Sequence, residues 1–154
     1  MAYDVNPGRE QQSIIDFLRA EYPHTVVLPD GMLDDDNDDI TYNDAGLVGF
    51  IVLWFSNPKP SPGNSGKSFA GVRLDQRHAT VDVVAVARNG TAARNFLNDI
   101  YNRLLGFQTD GGGRLTDGTA LWGDTRQVAS EKDRPTRWAR TARFDFGVNS
   151  KKVE

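Results

Sequence analysis

Apolar residues recur at helical spacing in two stretches of this chain and at strand spacing through most of the rest. In "NPGREQQSIIDFLRAEYP", Ile14, Phe17, Leu18 and Tyr22 fall on one stripe. Asn6 suits the N-cap, Pro7 the first helical position, and Pro23 ends the run, which predicts a helix over about 7–21. In "NGTAARNFLNDIYNRLLG", Ala93, Phe96, Leu97, Ile100 and Leu104 repeat the pattern, with Thr91 as cap and Gly106 as stop.

Between and after these helices the period changes. "HTVVLP" reads as a short strand. Gly46–Asn57, "GLVGFIVLWFSN", is apolar almost without alternation, as a central strand covered on both faces would be. Pro58–Ser68 is rich in proline and glycine and reads as a loop. "FAGVRLD" and "ATVDVVAVAR" read as two strands, turning near Gln76–His78. "QTDGGGRLTDGT" reads as a flexible loop, and "ALWGDTRQVA" as a short strand around Leu121. In the closing strand Trp138, Ala142, Phe144, Phe146 and Val148 alternate with Arg137, Thr141, Arg143 and Asp145, giving one wet face. Helix, strands, helix, strands predicts an α+β domain: two helices packed on a mixed, mostly antiparallel sheet.

The length of 154 residues fits one domain, with an ordered core over about 7–148 and a short tail at 149–154. A net charge of −3 is not that of a nucleic-acid-binding domain, and the absence of cysteine removes disulfides and thiolate chemistry. The N-terminal stretch lacks the apolar centre of a signal peptide, and Gly46–Phe55 is too short to span a bilayer as a helix. These features predict a soluble protein with no membrane partner.

Three motifs invite chemistry. "SPGNSGKS" (Ser61–Ser68) ends like a phosphate loop, with Gly66, Lys67 and Ser68 in register. Its first glycine position is Ser61, however, Pro62 removes an N–H, and strand-like alternation follows where the motif needs a helix. The run Asp34–Asp39 places Asp34, Asp36 and Asp38 at the spacing of the first EF-hand ligands. Asp39 then stands where that loop needs glycine and Ala45 where it needs glutamate, so a solvated acidic loop fits better. His24 and His78 lie in a strand edge and a turn, without ligand-spaced carboxylates. The sequence therefore predicts no catalytic residues, no bound metal and no cofactor.

Arg126, Lys132, Arg134, Arg137, Arg140 and Arg143 form a basic series, read as a solvated strand face whose aromatic neighbours belong to the core. Arg140 is the exception, because period two puts it on the apolar face. Either a bulge shifts the register there or a carboxylate meets it at an interface.

The succession of capped helix, "LVGFIVLWF", long loop, "VDVVAVA", "AARNFLNDIYNRLLG" and "ASEKDRPTRWARTARFDFGV" resembles the tail terminator proteins of long-tailed bacteriophages, over about Pro7–Val148. The resemblance is one of pattern, without an invariant motif. The longer loop at Gln108–Gly118 and the run Asp34–Asp39 depart from it. It implies a structural virion protein without catalysis: a homo-hexameric ring that caps the tail tube, ends its polymerisation and joins the head connector. Its partners are then its own copies, the tube protein and the connector protein, with no sequence-specific nucleic acid although the genome passes through the ring. Its place is the head-proximal end of the virion tail, reached from the host cytoplasm during assembly.

A cyclic ring needs two different complementary patches on each subunit. Candidates are the acidic Asp34, Asp35, Asp36, Asp38 and Asp39 against the basic Arg134, Arg137, Arg140 and Arg143, with Lys59, Lys67 and Arg114 on the contact loops. Other readings stay open: a head–tail connector or another neck protein, a phosphate- or nucleotide-binding enzyme using the 61–68 loop, or an adaptor binding nucleic acid through its arginine strand.

Overall fold

A computed structural model of the chain describes residues 2–4, 7–31, 40, 42–43, 46–57, 59–60, 76–110, 113–118, 125–129, 136–149 and 151–153. Helix α1 runs Pro7–Glu21 and helix α2 Gly90–Leu104. Both form for the reasons their stripes suggest. Ile14 and Leu18 of α1, and Ala93, Leu97, Ile100 and Leu104 of α2, are fully buried. Each buried leucine or isoleucine there contributes roughly 1.5–3 kcal/mol of apolar transfer. Phe17, Tyr22 and Phe96 pack against the same core, half-buried.

The strands in chain order are β1 (Ala2–Asp4), β2 (Val27–Pro29), β3 (Tyr42–Asn43), β4 (Gly46–Leu47), β5 (Phe50–Phe55), β6 (Lys59–Pro60), β7 (Gln76–Ala87), β8 (Thr116–Asp117), β9 (Arg126–Ala129), β10 (Arg137–Asn149) and β11 (Lys151–Val153). The main sheet has the order β2-β5-β7-β10-β8, with β6 beside β7 and β9 beside β10. Only the β2–β5 pair is parallel; the other pairs are antiparallel. Two helices on a mixed, mostly antiparallel sheet make this an α+β fold, as the periodicity predicts.

The sheet is buried on two faces. Toward the helices point Ile51, Leu53, Val81, Val83, Ala85, Ala142, Phe144, Phe146 and Val148. On the second face Phe50, Val52, Val84, Val86 and Ala139 form a separate cluster, covered by Ile40 and Leu47. The central strand is thus apolar throughout because each of its faces meets a different cover. Among the described residues, β3 and β4, which lie in that cover, pair only with each other.

Several boundaries differ from expectation. The α2 cap is Asn89, whose Oδ1 accepts from the Ala92 N–H at 2.7 Å; Thr91 lies inside the helix. There is no turn at Gln76–His78, which pair with Asn149, Val148 and Gly147 as the start of β7. Leu121, around which a short strand is expected, lies outside the described residues; β9 follows at Arg126–Ala129. Asn6 is outside them too. The expected tail is extended chain: β10 reaches Asn149, and β11 pairs antiparallel with β1, placing Ala2 opposite Val153.

The segment after α2 is not a loose loop where it is described. Gly106 turns the chain at φ +83°, a conformation that favours glycine. Gln108 bridges Arg114, the Thr109 hydroxyl donates to the Gly113 carbonyl at 2.9 Å, and Gly113 N–H donates to the Gly147 carbonyl at 3.0 Å. A β-carbon on Gly113 would stand 3.1 Å from the Gly147 nitrogen, so glycine is what lets this segment lie against β10.

Candidate functional site

A structured polar row crosses the second sheet face beyond the apolar cluster. In register it runs Arg143 on β10, Asp82 on β7 and Trp54 on β5. Neighbouring strands lie about 4.8 Å apart, which places Arg143 and Trp54 about 10 Å from each other. Arg143 holds Asp82 by both carboxylate oxygens, Nε donating at 2.6 Å and Nη2 at 3.0 Å. This hydrogen bonding, then the charge of Asp82 and finally that of Asp145, raises the guanidinium above its ordinary pKa. An exposed pair of this kind contributes only about 0.2–1 kcal/mol.

At the other end of the row, Trp54 Nε1–H donates to the Gly31 carbonyl at 2.8 Å, and Asp30 N–H to the Leu53 carbonyl at 2.7 Å. Asp30 adopts φ 58°, the left-handed turn that ends β2. Gly31 and Ile40, the described residues that flank the acidic stretch in sequence, both lie on the second sheet face, Gly31 through Trp54 and Ile40 in the second apolar cluster.

The remaining predicted site residues divide. Asp34, Asp35, Asp36, Asp38, Asp39, Lys67 and Arg134 lie outside the described residues, as does all of Ser61–Ser68. Lys59 is the first residue of β6 and pairs with His78, which is therefore in a strand rather than a turn. Arg114 is exposed, its Nη1 donating to the Gly106 carbonyl at 3.1 Å.

The arginine series is not one wet face. Arg137 is only 2% exposed, in contrast to the solvated position its alternation suggests. It points to the second face, where the β3–β4 hairpin and Phe50 enclose it. Arg140 points to the helix face, half-buried opposite Ala85. The one irregularity nearby lies in the pairing with β9, between Arg137 and Trp138, while the β7 register runs unbroken past Arg140. A bulge therefore does not move Arg140 off that face.

A second polar group, absent from the sequence reading, ties the helices together. Tyr22 donates to Asp99 Oδ2 at 2.5 Å, and Arg103 donates from Nε to Asp99 at 3.1 Å and from Nη1 to Glu21 at 2.5 Å. The Asp99–Arg103 spacing of four residues is readable in sequence, whereas the link to Glu21 and Tyr22 requires the tertiary fold. Burial first, then the hydrogen bond to Asp99, pushes the Tyr22 phenol well above its ordinary value near 10. Its neutral form is favoured in the folded state. That contribution is complete below pH 10 and is lost as pH rises from there through the folded-state pKa. We expect urea stability to fall between pH 9.5 and 11.5, with a visibly shallower fall in Tyr22→Phe; equal slopes would remove Tyr22 as the cause.

Among the described residues no group of three or more His, Cys, Asp or Glu could hold a metal ion, and no helix is long and apolar enough to cross a membrane. No family model and no curated protein matches the chain. Four solved chains do. One is 14% identical, with 96% of this chain and 94% of its own length covered, at a TM-score of 0.42. A likeness that distant carries no argument about function.

Proposed function

We propose that this protein is a structural assembly subunit of a long-tailed bacteriophage, a tail terminator that caps the tail tube as a hexameric ring and joins it to the head connector. The observation that supports this reading best is the order of elements. Of the succession on which the resemblance rests, the first helix, central strand, "VDVVAVA" segment, second helix and closing strand correspond to α1, β5, β7, α2 and β10, although the expected hairpin before "VDVVAVA" is a single strand from Gln76. A ring interface also needs chemically distinct surfaces on one rigid body. The second sheet face offers one, in the Asp82–Arg143 pair and the Trp54–Gly31 bond of the same row. Arg137 is not available to such an interface in this conformation, which leaves Arg143 as the exposed described member of the arginine strand.

The nucleotide-binding alternative finds less support. The first described element after the 61–68 loop is strand β7, beginning at Gln76. Only residues 69–75 separate it from Ser68, about two helical turns at most, where a phosphate loop feeds a full helix. Two assays separate the readings. Added to polymerising tube protein, a terminator halts elongation, measured by light scattering, at far below one copy per tube subunit. A nucleotide-binding enzyme leaves elongation unchanged and is stabilised thermally by magnesium ATP or GTP, an effect that Lys67→Ala abolishes.

A further inference from the structure

Arg137 is the largest of the fully buried side chains, and a guanidinium is an expensive group to bury. Among the described residues, three contacts help to offset the cost. Nη2 donates to the Tyr42 hydroxyl at 2.6 Å, and the guanidinium carbon stands 5.3 Å from the Phe50 ring centroid and 6.0 Å from that of Tyr42. Two of the three contacts are to β3. The hairpin it belongs to has two residue pairs, Tyr42 with Leu47 and Asn43 with Gly46, and forms a sheet of its own. A two-stranded hairpin of that length is not stable alone. Among the described residues, Ile40 and Leu47 hold it against the second apolar cluster, and Arg137 holds it from β10.

We infer that Arg137 and Tyr42 form a clasp that holds the β3–β4 hairpin on the second face of the sheet, and that this cover opens as a unit without unfolding the helix-side core. Two features support separate opening. The sheet itself divides the apolar cluster under the hairpin from the one under the helices. Tyr42 is 42% exposed, so water can replace its hydroxyl in the bond while the core stays dry. A methionine would fill the same volume without the desolvation cost, so packing alone does not call for arginine here.

The clasp stands whether or not the chain caps a tail tube.

Hydrogen–deuterium exchange on the free protein tests this, comparing peptides covering 42–47, β7 and α2 in the parent, Arg137→Met and Tyr42→Phe. A hydrogen bond to a charged group is worth about a tenfold or larger factor in an opening equilibrium. We expect exchange in 42–47 to rise about tenfold or more in both variants, with β7 and α2 unchanged. Acceleration of all three regions together, or unchanged protection of 42–47 in the conservative Tyr42→Phe, would overturn the clasp. Tyr42→Phe removes one oxygen atom, so the result does not depend on whether Arg137→Met folds.

Discussion

Phe144→Ala should lower stability by about 3–5 kcal/mol, the usual cost of truncating a buried phenylalanine. Phe144 is fully buried on the helix face of β10, opposite Val81 of β7, and its ring lies 5.3 Å from that of Tyr101 on α2. It thus bridges β10, β7 and α2. The surroundings are β-sheet backbone and a helix held by four buried residues, neither free to collapse into the gap. A small domain has about 5–15 kcal/mol in total, so this one change removes a large share. Urea unfolding should show a lower midpoint with the slope retained. A loss below about 1 kcal/mol would mean that α2 does not rest on Phe144 as described.

Val84→Asp should be still more damaging at neutral pH, and its effect should depend on pH. Val84 is fully buried in the middle of β7, on the second face, between Val52 of β5 and Thr141 of β10 in register. An ionised carboxylate there costs several kcal/mol, which burial relieves by raising its folded-state pKa above the unfolded value near 3.9. The sign follows: the penalty is smallest below pH 4 and grows as pH rises toward the folded-state pKa. Thermal melts followed by circular dichroism should show the gap between parent and variant widening from pH 4 to pH 7. A gap of equal size at both pH values would indicate that position 84 reaches water, and the second face would not be a core.

Both helices were legible because their burial is one-sided, and a stripe of period 3.6 reports that directly. The central strand was legible for the opposite reason, its residues being buried on alternate faces without a break. Arg137 was not, because the alternation of the last strand was read with a single buried face. At its N-terminal end β10 is covered on both, by the helices and by the β3–β4 hairpin, so the polar set of a period-two pattern is no longer the wet set. The described part of the 108–118 segment is ordered by Leu115, a lone buried apolar residue that sets up no period, and by Gly113 meeting Gly147 backbone to backbone, which leaves no side-chain signature. Asn89 and Thr91 are both good capping residues two positions apart, and only the backbone geometry chooses between them. Of the candidate interface, sequence located the acidic and basic residues. It did not show that Asp82 already occupies Arg143, because that pairing joins two long strands 61 residues apart in the chain.

The claim on which the functional reading turns is that six copies of this chain close over one end of a tail tube. Cryo-electron microscopy of purified tubes incubated with the protein tests it most directly. The account predicts a six-fold ring at a single end of each tube, with this fold fitting the density and the second sheet face turned toward a neighbouring subunit or the tube. Bare ends at saturating protein, or the same density bound to the head's connector instead of the tube, would contradict it.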